Sequence, residues 1–139
     1  MTTSYNDIRA VIEGRLATEM AQSPSYQVAY ANTAFTPPAS SPWLKAEINF
    51  GENSYFTLQS PSTGTNRQSG VLVVDIFSDV SVGAAGAYTI AERVKNLFDR
   101  KTVSGVTFDA AAGPSQIVSG LSASFFQVQV SVSFDAYLS

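Results

Sequence analysis

The stretch from Phe126 to Leu138 sets Phe126, Val128, Val130, Val132, Phe134, Ala136 and Leu138 in strict alternation with Gln127, Gln129, Ser131, Ser133, Asp135 and Tyr137. Successive side chains of a strand point to opposite faces, so this pattern demands a strand with one covered apolar face and one open polar face. Such a strand belongs in a mainly antiparallel sheet, because all-parallel sheets are covered on both sides. The rest of the chain must shield the apolar row.

Two segments have the spacing to do so. Ile8, Val11, Ile12, Leu16 and Met20 recur at three and four residues, as an amphipathic helix requires. Ser4 is placed to cap it, with Asp7 in the first turn where a carboxylate meets the positive end of the helix dipole. Arg9 with Glu13 and Arg15 with Glu19 read as ordinary surface pairs. A second helix follows the turn Ser81–Gly86, with Ala87, Ile90, Ala91, Val94, Leu97 and Phe98 on its stripe and Asp99-Arg100-Lys101 closing it.

Between and after the helices lie further strand candidates. Tyr26, Val28 and Tyr30 alternate, and Asn32 to Pro42, with its prolines, is a loop. From Trp43 to Phe50 the faces separate again, Leu44, Ala46, Ile48 and Phe50 against Trp43, Lys45, Glu47 and Asn49. A turn at Gly51-Glu52-Asn53 and a strand at Tyr55–Leu58 predict a hairpin, followed by a polar loop from Ser60 to Gly70. Val71–Phe77 is almost continuously apolar and reads as a central strand covered on both sides, with Asp75 expected near solvent at a strand end or against a hydrogen-bond donor or basic group. Val103–Ala110 and Gln116–Val118 are short strands around a loop at Gly113-Pro114. The expected order is a helix, about four strands, a helix and about three strands. The fold class is α+β: a single antiparallel-dominated mixed sheet with two helices packed on one face, in one domain spanning residues 1–139.

Composition narrows function. Hydrophobic residues make up 45% and charged residues 14%, too apolar for disorder and too interrupted for a membrane span. Cysteine and histidine are both absent, which removes thiolate chemistry, Ser-His-Asp catalysis and the usual metal sites. A net charge of −3 leaves no basic stripe for specific nucleic-acid binding. No basic cluster precedes an apolar run at the N-terminus, so no secretory signal is expected and synthesis is placed in the cytoplasm. Gly83-Ala84-Ala85-Gly86 before a helix lacks the remaining residues of a phosphate-binding loop. Asp75 with Asp79 is the nearest carboxylate pair, without a surrounding substrate platform. No catalytic, cofactor or metal site is therefore expected. A surface rich in Ser, Thr, Gln and Asn and poor in charge suits association, and Trp43, Arg67, Asp75 and Tyr137 are the candidate residues of an interface with another subunit or partner.

The elements together resemble the tail terminator-like proteins of long-tailed bacteriophages. The resemblance rests on the capped helix Ile8 to Met20, Val28-Ala29-Tyr30-Ala31-Asn32 leading to Phe35-Thr36-Pro37, and Pro42-Trp43-Leu44. It continues through Gly70-Val71-Leu72-Val73-Val74-Asp75-Ile76-Phe77, the Ala87-to-Phe98 helix and Val128-Gln129-Val130-Ser131-Val132. The resemblance implies a non-enzymatic virion protein, assembled in the host cytoplasm, that forms a ring, commonly a hexamer. Such a ring sits on the head-proximal end of the tail tube, stops tube polymerisation and faces the head connector. Its partners would be further copies of itself, the major tail tube protein and a neck or connector protein. Partner contacts are expected at Ser60–Gly70 and Asn32–Pro42. Alternatives are another neck or tail-completion component, or a small-ligand-binding α+β domain using the aromatic interior.

Overall fold

The structure, a computed structural model, describes residues 4–38, 42–55, 66–79, 84–117 and 125–138. Helix α1 spans Tyr5–Met20 and opens as expected: the Ser4 hydroxyl accepts from the Asp7 amide at 3.1 Å, and the Asp7 carboxylate accepts from the Ser4 amide at 3.0 Å. These reciprocal bonds satisfy donors that a helix start otherwise leaves unpaired. Ile8, Ile12, Leu16 and Met20 are buried along one side. Helix α2 spans Ala85–Phe98, taking in Gly86, and buries Ala87, Ile90, Ala91, Val94 and Phe98.

The strands are β1 (Gln27–Ala29), β2 (Trp43–Tyr55), β3 (Asn66–Asp79), β4 (Thr102–Val103), β5 (Val106–Phe108), β6 (Ala112–Ile117) and β7 (Phe125–Leu138). They form one curled sheet in the order β1-β2-β3-β7-β5-β4, with β6 also paired to β7. β1 and β2 run parallel and every other described pair is antiparallel. The long strand β7 lies against β3 along its whole length, while its other edge is shared by β6 near the start and β5 near the end.

The register builds the core row by row. Leu44, Ile76 and Val128 lie side by side, then Ala46, Val74 and Val130, then Ile48, Leu72 and Val132. These even-numbered residues face the helices and join their stripes in one buried cluster with Val106 and Phe108. In the next row Phe50, Gly70 and Phe134 are neighbours, and glycine is required there. A β-carbon at Gly70 would stand 2.5 Å from Phe134 Cζ and 2.9 Å from the Asn49 carbonyl oxygen.

Several boundaries differ from those expected. β2 does not turn at Gly51-Glu52-Asn53 but runs through to Tyr55, with a register shift against β3 between Phe50 and Asn53. A buried amide holds that irregularity: Gln68 donates to the carbonyls of Gly51 and Ser69, and its oxygen accepts from Asn53 and from the Tyr5 hydroxyl. Asn66 to Gly70 is accordingly strand, not loop, while Leu58 and residues 60–65 lie outside the described residues. The Val103–Ala110 strand is instead the hairpin β4–β5. Ser104 and Gly105, at φ 49° and 87°, supply the left-handed pair that a two-residue turn needs. Gly113-Pro114 falls inside β6 rather than in a loop, and Val118 is outside the described residues. Among the described residues, three strands precede α2 and four follow it.

The helix pairings also differ. Arg9 and Glu13 do form an ion pair, at 3.0 Å. Arg15 and Glu19 do not; Arg15 donates to the Leu97 carbonyl at 2.9 Å. Glu19 pairs with Arg93 of α2, whose guanidinium also donates to the carbonyls of Glu19 and Pro24 and lies over the Tyr26 ring. One side chain therefore ties α2 to the end of α1 and to the chain entering β1.

A candidate interaction face on the open side of the sheet

Because the helices take the even-numbered side, the odd-numbered residues of β3 and β7 form the opposite face. Across it run Trp43, Phe77 and Gln127; then Lys45, Asp75 and Gln129; then Glu47, Val73 and Ser131; then Asn49, Val71 and Ser133. Beyond them lie Ser69 beside Asp135 and Arg67 beside Tyr137. Trp43, Arg67, Asp75 and Tyr137 thus share this face, but not one site. They fall into two pairs, and Arg67 and Asp75 are eight positions apart on β3, about 26 Å at roughly 3.3 Å per residue.

At one end the face is closed over. Trp43, expected to project as an anchor, is only 9% exposed. Its ring stacks on Phe77 at 4.2 Å, and Phe35, from the proline-containing connection between β1 and β2, lies 5.2 Å away. Asp75 is neither at a strand end nor near open solvent, being 8% exposed in the middle of β3. One of its carboxylate oxygens accepts from the side-chain amides of Gln127 at 3.2 Å and Gln129 at 3.0 Å. A buried carboxylate is costly without donors, and the neighbouring strand supplies them at consecutive positions on the same face. Asp75 is thereby a structural anchor for the β3–β7 pair.

At the other end the face is open. Arg67 holds Asp135 at 2.9 Å, and Asp135, through its hydrogen bond and then its charge, raises the pKa of the exposed Arg67 guanidinium. Tyr137 beside it is 38% exposed. A groove of 460 Å³ is lined here by Asn49, Gly51, Arg67, Asp109, Ser133 and Asp135. Between the ends, Val71 and Val73 are half-buried among Glu47, Asn49, Ser131 and Ser133. The apolar run around Val71 and Val73 concealed their exposure. Pairing it with the polar positions of the final strand would have shown that this side lies open.

Charges on the face are sparse and of both signs, and among the described residues no group of three or more His, Cys, Asp or Glu can hold a metal. Interior aromatics pack on one another, with Phe98 and Phe108 at 5.0 Å and Phe108 and Phe134 at 6.1 Å. Sequence comparison gives the class: the chain matches the model of a phage tail terminator protein family over residues 7–134 and belongs to that family. The family is one of structural proteins rather than enzymes, with a tail-completion role in the virion tail. A solved structure is similar over 96% of each chain, at 25% identity and a TM-score of 0.72. No curated protein matches the chain.

Proposed function

We propose that the protein closes into a ring, hexameric in its expected form, on the head-proximal end of the phage tail tube. There it ends tube polymerisation and presents a second surface to the head connector. The observation that carries this reading is the open part of the β3–β7 face, from Val73 and Ser131 to Arg67 and Tyr137, on a sheet whose two edges differ in sequence. A face with half-buried valines and little charge has a low desolvation cost on docking. Unlike edges favour head-to-tail contacts, which form rings when the rotation closes. In this reading Arg67 and Tyr137 touch the partner, and Trp43 and Asp75 hold the other end of the face in shape beneath it. A net charge of −3 leaves a lumen that does not retain passing DNA.

The test is polymerisation of tail tube protein with and without this protein. Expected are shorter tubes, each carrying a ring at one end in electron micrographs. Tubes of unchanged length with bare ends would overturn the reading. Binding to isolated head connectors but not to tubes would move the protein to another position in the neck.

A further inference from the structure

The two edges of the sheet differ in charge as well as in sequence. β1 covers β2 only at Trp43–Lys45, so from Ala46 to Tyr55 the outer edge of β2 pairs with no described strand. That stretch carries Glu47 and Glu52 and no basic residue, and neither carboxylate joins an ion pair among the described residues. A bare strand edge offers a row of unpaired amides and carbonyls, a template for another chain unless something covers it.

The opposite edge ends in β4, which among the described strands pairs only with β5. Arg100 and Lys101 lead into it, both exposed and neither in an ion pair among the described residues. Their backbone is held in place. The Arg100 amide donates to the Asp109 carbonyl, the Lys101 amide to that of Phe98, and the Lys101 carbonyl accepts from Phe108. Of the nearby acids, Asp99 accepts from the Ala111 amide, and Asp109 is exposed in the groove that Arg67 also lines. β6, on the same side of the sheet, is a poor pairing edge because Pro114 interrupts it.

We propose that the ring closes through these edges, the acidic β2 edge at Ala46–Tyr55 of one copy receiving the basic β4 turn of a second copy. Glu47 and Glu52 face Arg100 and Lys101 across the contact. This inference rests on the ring reading above and names its interface. Charge complementarity selects the occupant: either edge against itself sets like charges together, which disfavours a two-fold pair and favours head-to-tail closure.

Two double variants test it, Glu47→Lys with Glu52→Lys and Arg100→Glu with Lys101→Glu. In the first both edges are basic; in the second both are acidic. Each alone should shift the concentration at half-assembly upward by about 100-fold, as like charges across an interface predict. Mixed one to one, they should restore an alternating ring, read by native mass spectrometry as equal numbers of the two masses. Matching circular dichroism melts would show that each variant is folded; if one is not, Glu52→Lys with Lys101→Glu replaces the pair. Variants that assemble like the unaltered protein, or that mixing fails to rescue, would overturn this interface and leave the ring itself standing. An unaltered protein that never assembles, even on tubes, would sink the ring and the interface together.

Discussion

Gly70 shows how much a single missing methyl group carries. With Phe134 Cζ at 2.5 Å and the Asn49 oxygen at 2.9 Å from the point where a β-carbon would sit, neither the aromatic ring nor the strand can yield freely. Gly70→Ala should therefore destabilise the fold by about 1–3 kcal/mol. That outweighs the roughly 0.5–1 kcal/mol an alanine gains through lower unfolded-state entropy. Chemical denaturation would measure the difference, and an unchanged midpoint would refute the tight contact. Tyr30 presents the opposite case. Its hydroxyl is buried with no hydrogen-bond partner among the described residues, and burial, followed by the charge of Glu13, raises its pKa above 10.0. The neutral phenol is the form the fold favours. Stability from this group is intact below pH 10.0 and is lost as pH rises through the higher folded value. Tyr30→Phe should match or exceed the parent at neutral pH, by up to about 1 kcal/mol, and lose less of its melting temperature in alkali. An equal alkaline loss in both proteins would exclude Tyr30 as its source.

Between elements, Arg93 is the principal polar tie. Its guanidinium reaches a carboxylate and two carbonyls at once, with the Arg93 and Glu19 side chains 19% and 28% exposed, so solvent screens the contact only in part. A lysine ammonium cannot reproduce a planar fork, and Arg93→Lys should cost about 1–3 kcal/mol in thermal unfolding. A loss within error of zero would mean that apolar packing alone holds α2 on α1. Elements whose signal is local were legible beforehand: the capped helix from Ser4, the α2 stripe and the alternation of β7. The β2 irregularity was not, because Gly51-Glu52-Asn53 carries ordinary turn chemistry and only Gln68, arriving from β3, keeps the strand extended. The β4–β5 hairpin turns on Ser104 at positive φ, a conformation that serine does not advertise. On the candidate face, alternation sets Trp43 and Tyr137 off the apolar rows of their strands, whereas Arg67 reads as part of a polar loop and Asp75 as part of a strand covered on both sides. The burial of Trp43 and Asp75 depends on Phe35 and the β7 glutamines, distant contacts that no local pattern records.

At the scale of the molecule, the helices cover one side of the sheet and the proposed partner contacts lie on the other, while acidic β2 and the turn into β4 lie toward opposite ends of the strand order. The position of β7 adds a constraint in time. It pairs with β3, β5 and β6, yet it comes after all of them in the chain. Until Phe125–Leu138 has been synthesised, those strands lack their common neighbour and the face opposite the helices is incomplete. If the protein caps the tube as proposed, the order of translation acts as a safeguard, because a half-made chain has no finished face with which to stop a growing tube.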